Sequence, residues 1–157
     1  MSVSGKPCTS ARFARIDAVA DPQSAAQIRR EFSDWLGRHF TLDATKASDM
    51  VLAVNEAMAN AAEFAYVMVE QPGAMHVLAS YDGTAATLTV TVTDEGAWRS
   101  VDPGSTDSGR GRGIPLMQAL ADHATVDSSA SGTRVCLEWG RVAAAQARGQ
   151  DRGSRTT

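Results

Sequence analysis

Residues 53–66 read AVNEAMANAAEFAY. At about 100° per residue, Ala47, Met50, Val51, Val54, Ala57, Met58, Ala61, Ala65 and Met68 fall in one stripe. A long helix is expected from Asp43 or Thr45 to Val69, stopped by Pro72-Gly73, with that stripe turned to a core. Glu56, Asn60 and Glu63 lie nearly opposite, mixed with Ala53, Phe64 and Val67. A face built only to meet water would not carry so much apolar surface beside its carboxylates. Glu56 and Asn60, at i and i+4, can point into one cleft, although an isolated pair at this spacing is more often a solvated helix face.

Upstream, Arg12 to Ala18 reads as a first, edge strand broken by Asp21-Pro22. Ile28, Phe32, Trp35, Leu36 and Phe40 then recur at three- and four-residue steps, which predicts an amphipathic helix from Ser24 to Phe40, capped by Asp21 or Ser24. Downstream, Met75–Tyr81 and Ala86–Thr93 alternate around Asp82-Gly83 and predict a hairpin. A polar, glycine-rich stretch from Glu95 to Arg112 reads as a loop, and loops of that length in a compact domain are usually functional. Ile114 to Asp122 predicts a short helix, with Pro115 in its first turn. Thr125–Asp127 and Thr133–Trp139 form a closing hairpin. About three helices on one face of a mixed, mostly antiparallel sheet make a two-layer α/β sandwich.

The chain has 157 residues, enough for one domain. We place that domain at 12–140, after a flexible extension at 1–11 and before a disordered basic tail at 141–157. Residues of the AVILMFWYC set make up 43% of the chain, and much of that share is alanine, so the core must be small and closely packed. Net charge is −3, with Arg141, Arg148, Arg152 and Arg155 against only Asp151 in the tail. The acidic body argues against nucleic-acid binding, which needs clustered Lys and Arg. Two distant cysteines, Cys8 and Cys136, exclude a disulfide framework and suit a reducing cytoplasm. No apolar run is long enough to span a bilayer, and the N-terminus lacks the apolar stretch of a signal peptide. His39, His76 and His123 lack metal-ligand spacing and are expected in ordinary surface or core roles, and Cys136 in core packing.

Beyond the helix pair, three more segments carry potential chemistry. In VTVTDEGAW (90–98), Asp94 ends a strand and Gly96 follows, so backbone and carboxylate can both approach a planar ligand. In SGRGRGIPLM (108–117), Gly109, Gly111 and Gly113 lead into a helix, where free N–H groups suit phosphate; no Lys-Ser/Thr follows, so this is not a Walker loop. In SGTRV (131–135), Gly132 and Thr133 open the last strand. Each has an ordinary reading as a turn or a linker. Their order is what separates the readings.

That succession resembles the N, G1, G2 and G3 boxes of the GHKL ATPases, the Bergerat fold. Within them it is most similar to the anti-sigma factor serine kinases, in an actinobacterial-looking branch with Asp94-Glu95-Gly96-Ala97-Trp98-Arg99, Arg110-Gly111-Arg112-Gly113-Ile114-Pro115-Leu116-Met117 and Ala119-Leu120-Ala121-Asp122. The resemblance implies that Asn60 ligates Mg²⁺ at the ATP phosphates and that Glu56 is the catalytic base toward a substrate serine. It further implies that Asp94 takes the adenine amino group, Gly96 packs on the base, and Thr133 supports it through a water. Gly111 and Gly113 would cradle phosphate, with Arg110 or Arg112 adding charge.

The implied protein binds ATP and magnesium, sequesters a sigma factor and phosphorylates a STAS-type anti-anti-sigma partner, with a homodimer as a further implication. Two positions depart from the family pattern: Phe64 stands where a histidine is common, and Trp98 where a glycine is common. The Phe64 departure leaves open an alternative, a nucleotide-gated anti-sigma module that binds ATP without phosphotransfer.

Overall fold

The computed structural model describes residues 11–67, 73–95, 115–129 and 132–145, with backbone alone for 63–67. In chain order the elements are β1 (Arg12–Val19), α1 (Pro22–His39), β2 (Phe40–Thr41), α2 (Ala44–Val67), β3 (Ala74–Asp82) and β4 (Thr87–Asp94). A short helix α3 (115–120), β5 (His123–Ser129), β6 (Gly132–Trp139) and β7 (Ala143–Ala144) follow. The main sheet runs β1-β3-β4-β6-β5, and among the described strands every pairing is antiparallel. β2 and β7 form a separate two-stranded ribbon.

Alternation explains why the sheet has one packed face. Met75, Val77, Ala79 and Tyr81 of β3, Leu88, Val90 and Val92 of β4, and Val135, Leu137 and Trp139 of β6 are all buried. The intervening Leu78, Ser80, Thr89, Thr91, Thr93 and Cys136 are exposed or half-buried on the outward face. A sheet covered on one side needs that period of two. α1 packs over β1, and α2 over β4 and β6.

The α1 pattern closes the core as its spacing requires. Ile28, Phe32, Trp35 and Leu36 are buried, and the rings of Phe13, Phe32, Trp35, Phe40 and Tyr81 form a chain of contacts with centroids 4.9 to 5.9 Å apart. Asp21 caps the helix by accepting from the Ser24 N–H at 2.8 Å, and Pro22 occupies its first turn. Asp43 does the same for α2, accepting from the Lys46 N–H at 2.7 Å. On α2 the expected stripe is buried at Met50, Val54, Ala57, Met58 and Ala61, and burial extends to Ala53 and Ala62. Ala65 and Met68 lie outside the residues whose side chains are described.

The C-terminal boundary needs correcting. The expected tail begins at Arg141, yet Val142 is fully buried and Ala143–Ala144 pair with Phe40–Thr41. The Tyr81 hydroxyl donates to the Val142 carbonyl at 2.6 Å, the Val142 N–H donates to Ala86 O at 2.9 Å, and the Ala145 N–H donates to His39 O at 2.8 Å. The packed domain therefore continues to Ala145. Residues 1–10 and 146–157, the rest of the two expected extensions, lie outside the described residues.

Candidate functional site

β4 and β6 run antiparallel with Leu88 opposite Trp139 at one end and Asp94 opposite Thr133 at the other. Asp94 follows Leu88, Val90 and Val92 on the packed side, so its carboxylate takes the place of a fourth apolar residue. Asp94 and Thr133 are each only 7% exposed, the two polar residues in the buried set among the described residues. Burying a carboxylate costs free energy unless hydrogen bonds compensate it, so a buried acid at a strand end is a candidate for a functional site. An ionised carboxylate only accepts, whereas the threonine hydroxyl can donate or accept; together they suit a planar ligand that offers an amine.

Gly132 makes this juxtaposition possible. Its φ is +142°, and a Cβ there would sit 2.0 Å from the Asp94 carbonyl oxygen. Only a residue without a side chain lets the start of β6 approach the end of β4 this closely. The sequence showed a Ser-Gly-Thr turn here. The demand for glycine becomes visible only once the strands are paired.

α2 carries the second pair across these strands. Glu56 and Asn60 are both half-buried on a helix that packs over β4 and β6. The burial of Ala53 on the same side of the helix agrees with an occupied face rather than one turned wholly to water. Arg29 Nη1 donates to Asn55 Oδ1 at 3.1 Å across the α1–α2 boundary, beside an open cleft of about 510 Å³ lined chiefly by Ala25, Ala26, Ala59 and Ala62. Neither Glu56 nor Asn60 lines that cleft.

The structure thus brings Asp94 and Thr133 together and sets Glu56 and Asn60 on the helix above their strands. Gly96, Arg110, Gly111, Arg112 and Gly113 lie outside the described residues, as does Trp98. No described group of three His, Cys, Asp or Glu could hold a metal ion by itself. The Asn60 amide is nonetheless a hard oxygen donor suited to magnesium, whose remaining ligands are commonly phosphate oxygens and water.

Two sequence expectations change in detail. Cys136 is half-buried on the outward face between Thr91 and Thr125, not in the core; burial first, then Glu138, pushes its thiol up, which leaves it a poor nucleophile. His76 has specific partners: its Nδ1 accepts from the Asp17 N–H at 3.0 Å, and its Nε2 lies 2.9 Å from Glu95 Oε2. Among the described residues, no helix is long and apolar enough to cross a membrane.

Comparison with known proteins agrees with this geometry. The profile of the histidine kinase-like ATPase domain matches residues 18–139. Among solved structures, the RsbU and RsbW domains of Rv1364c from Mycobacterium tuberculosis superpose with a TM-score of 0.66 at 24% identity. That match covers 88% of this chain and 34% of the other, so this chain spans about a third of the length of the protein it resembles there.

Proposed function

We propose that this chain, which belongs to the histidine kinase-like ATPase domain family, is an ATP-dependent protein serine kinase that acts as an anti-sigma factor. In this reading it sequesters a sigma factor and phosphorylates a serine of a STAS-type anti-anti-sigma protein. The observation that supports it most is the buried Asp94–Thr133 pair at the end of an otherwise apolar strand pair, beneath the helix that bears Glu56 and Asn60.

Asp94 would accept from the adenine amino group, and Thr133 would support the base through a water. Gly96 would let the base pack against the backbone after the strand. Gly111 and Gly113 would cradle the phosphates, with Arg110 or Arg112 countering their charge. Asn60 would hold Mg²⁺, which when bound offsets the phosphate charge. In the transfer, the serine Oγ attacks the γ-phosphorus and the bond from that phosphorus to the β–γ bridging oxygen breaks. ADP leaves with the bonding electrons, and the hydroxyl proton passes to the Glu56 carboxylate.

Incubation with terminally labelled ATP and candidate partners tests the reading. Label is expected on a partner serine, and Glu56→Ala should abolish it while nucleotide binding survives. A partner that never acquires label, with wild-type and Glu56→Ala proteins alike, contradicts kinase activity. Phe64, standing where related kinases often have histidine, favours the second reading: a nucleotide-gated anti-sigma module without turnover. ATP-dependent capture of a sigma factor with no phosphotransfer would select it.

A further inference from the structure

The β4 end that carries Asp94 has a second attachment, on the opposite side of the sheet. Asp94 points to the packed face and Glu95 to the outward one, as strand alternation requires. There Glu95 Oε2 meets His76 Nε2 at 2.9 Å, and the far nitrogen of the same ring accepts the Asp17 N–H at 3.0 Å. Asp17 sits in the β1 bulge, at the register shift between Arg15 and Ala18, with φ +60°. Because Nδ1 accepts, the neutral ring carries its proton on Nε2 and donates it to Glu95. The His76 side chain is 17% exposed, so the ring is held in place, whereas the Glu95 side chain is 62% exposed and is bonded to His76.

We propose that His76 is a positioning residue for nucleotide binding, an imidazole clasp that ties the strand end bearing Asp94 to the β1 bulge. The inference rests on the reading of Asp94 as the adenine-recognition group. Loss of the clasp frees the residue next to Asp94 at the point where the chain leaves the sheet.

The charged groups facing the ring are few. On β1 the Asp17 carboxylate lies 3.8 Å from Nδ1. On the β4 side Glu95 is bonded, and Thr93, directly opposite in register, is neutral. Arg134 lies beyond Thr93 on β6, about two strand spacings or ~10 Å away. Asp127 is one strand further.

Calorimetric titration with ADP tests the clasp on the full chain. His76→Ala and Glu95→Ala should each weaken ADP binding by about two- to tenfold, the fold-change of one net hydrogen bond. The double variant should be no weaker than either single one, since both break the same link. Gln can accept with its oxygen and donate with its nitrogen, so His76→Gln should bind like wild type. A purely packing role for His76 would not be rescued by this polar replacement. Wild type and His76→Ala binding alike, or His76→Gln binding no better than His76→Ala, overturns the clasp while leaving Asp94 recognition intact. No ADP binding by wild type, or undiminished binding by Asp94→Asn, overturns the adenine reading itself and this inference with it.

Discussion

The two ends of the β4–β6 pair differ more than any other neighbouring parts of the molecule. At one end Leu88 faces Trp139, both essentially inaccessible, with the indole N–H donating to the Leu120 carbonyl at 2.9 Å. The next residues are tied as well: the Gly140 N–H donates to Asp122 Oδ2 at 2.7 Å, and Lys46 Nζ donates to Gly140 O at 2.9 Å. At the other end, six register positions away, Asp94 faces Thr133 on the same packed side. One end is closed by carbon and satisfied hydrogen bonds. The other sets a carboxylate and a hydroxyl where the strand pattern would otherwise place apolar side chains.

The comparison can be broken from either end. Trp139→Ala should have the largest effect, costing about 3–5 kcal/mol of stability, read from urea denaturation, with nucleotide affinity per folded molecule little changed. A small shift in the unfolding midpoint would show that the closed end is not the anchor of the sheet. Gly132→Ala should cost about 2 kcal/mol or more, because a side chain there meets backbone at a φ that L residues avoid. Unlike the tryptophan change, it should also abolish nucleotide binding, as the Asp94 strand end must retreat from the new Cβ.

Asp94→Asn should reverse the balance of the tryptophan change. Nucleotide affinity should drop tenfold or more, as a bond to a charged group is lost, while the melting temperature moves far less than in Trp139→Ala. Equal effects on both quantities would mean that Asp94 is chiefly structural.

The smallest effect lies away from both ends, at the half-exposed pair in which Arg15 Nε donates to Glu31 Oε1 at 2.6 Å. The Arg15 hydrogen bond, then that of Gln27, holds the Glu31 carboxyl below its ordinary range. A lowered folded-state pKa means stability that is present above the unfolded-state value and lost as pH falls through the folded one. Glu31→Gln should therefore lower stability slightly near neutrality and converge on wild type on the acid side, where the carboxyl is protonated, as measured by denaturation midpoints across pH.

The sequence disclosed those parts of this arrangement whose signals are local. Ile28, Phe32, Trp35 and Leu36 announce α1 because helical period and burial coincide, and Asp21 announces its start because capping is a matter between neighbours. The alternation of Val77, Ala79 and Tyr81 with Leu88, Val90 and Val92 likewise reveals β3 and β4. Glu56, Asn60, Asp94 and Thr133 stood out only through their order along the chain.

What stayed hidden depends on distant pairing. Val142 sits among arginine, glycine and alanine and shows no period; its burial is decided by Tyr81 and Ala86, more than fifty residues earlier. β2 and β7 are two residues each, too short for any pattern. The role of Gly132 needs the register of β6 on β4, and that of His76 needs a bulge in a strand that begins more than sixty residues before it.

That bulge also bears on how the molecule meets others. Among the described strands β1 is an edge of the sheet, and an edge strand with straight, unpaired backbone invites a foreign strand to extend the ladder. Here the register breaks between Arg15 and Ala18, Asp17 turns to a positive φ, and its N–H is consumed by His76. A sixth strand could not align along the full length of β1. The bulge blunts that flank against templated strand addition.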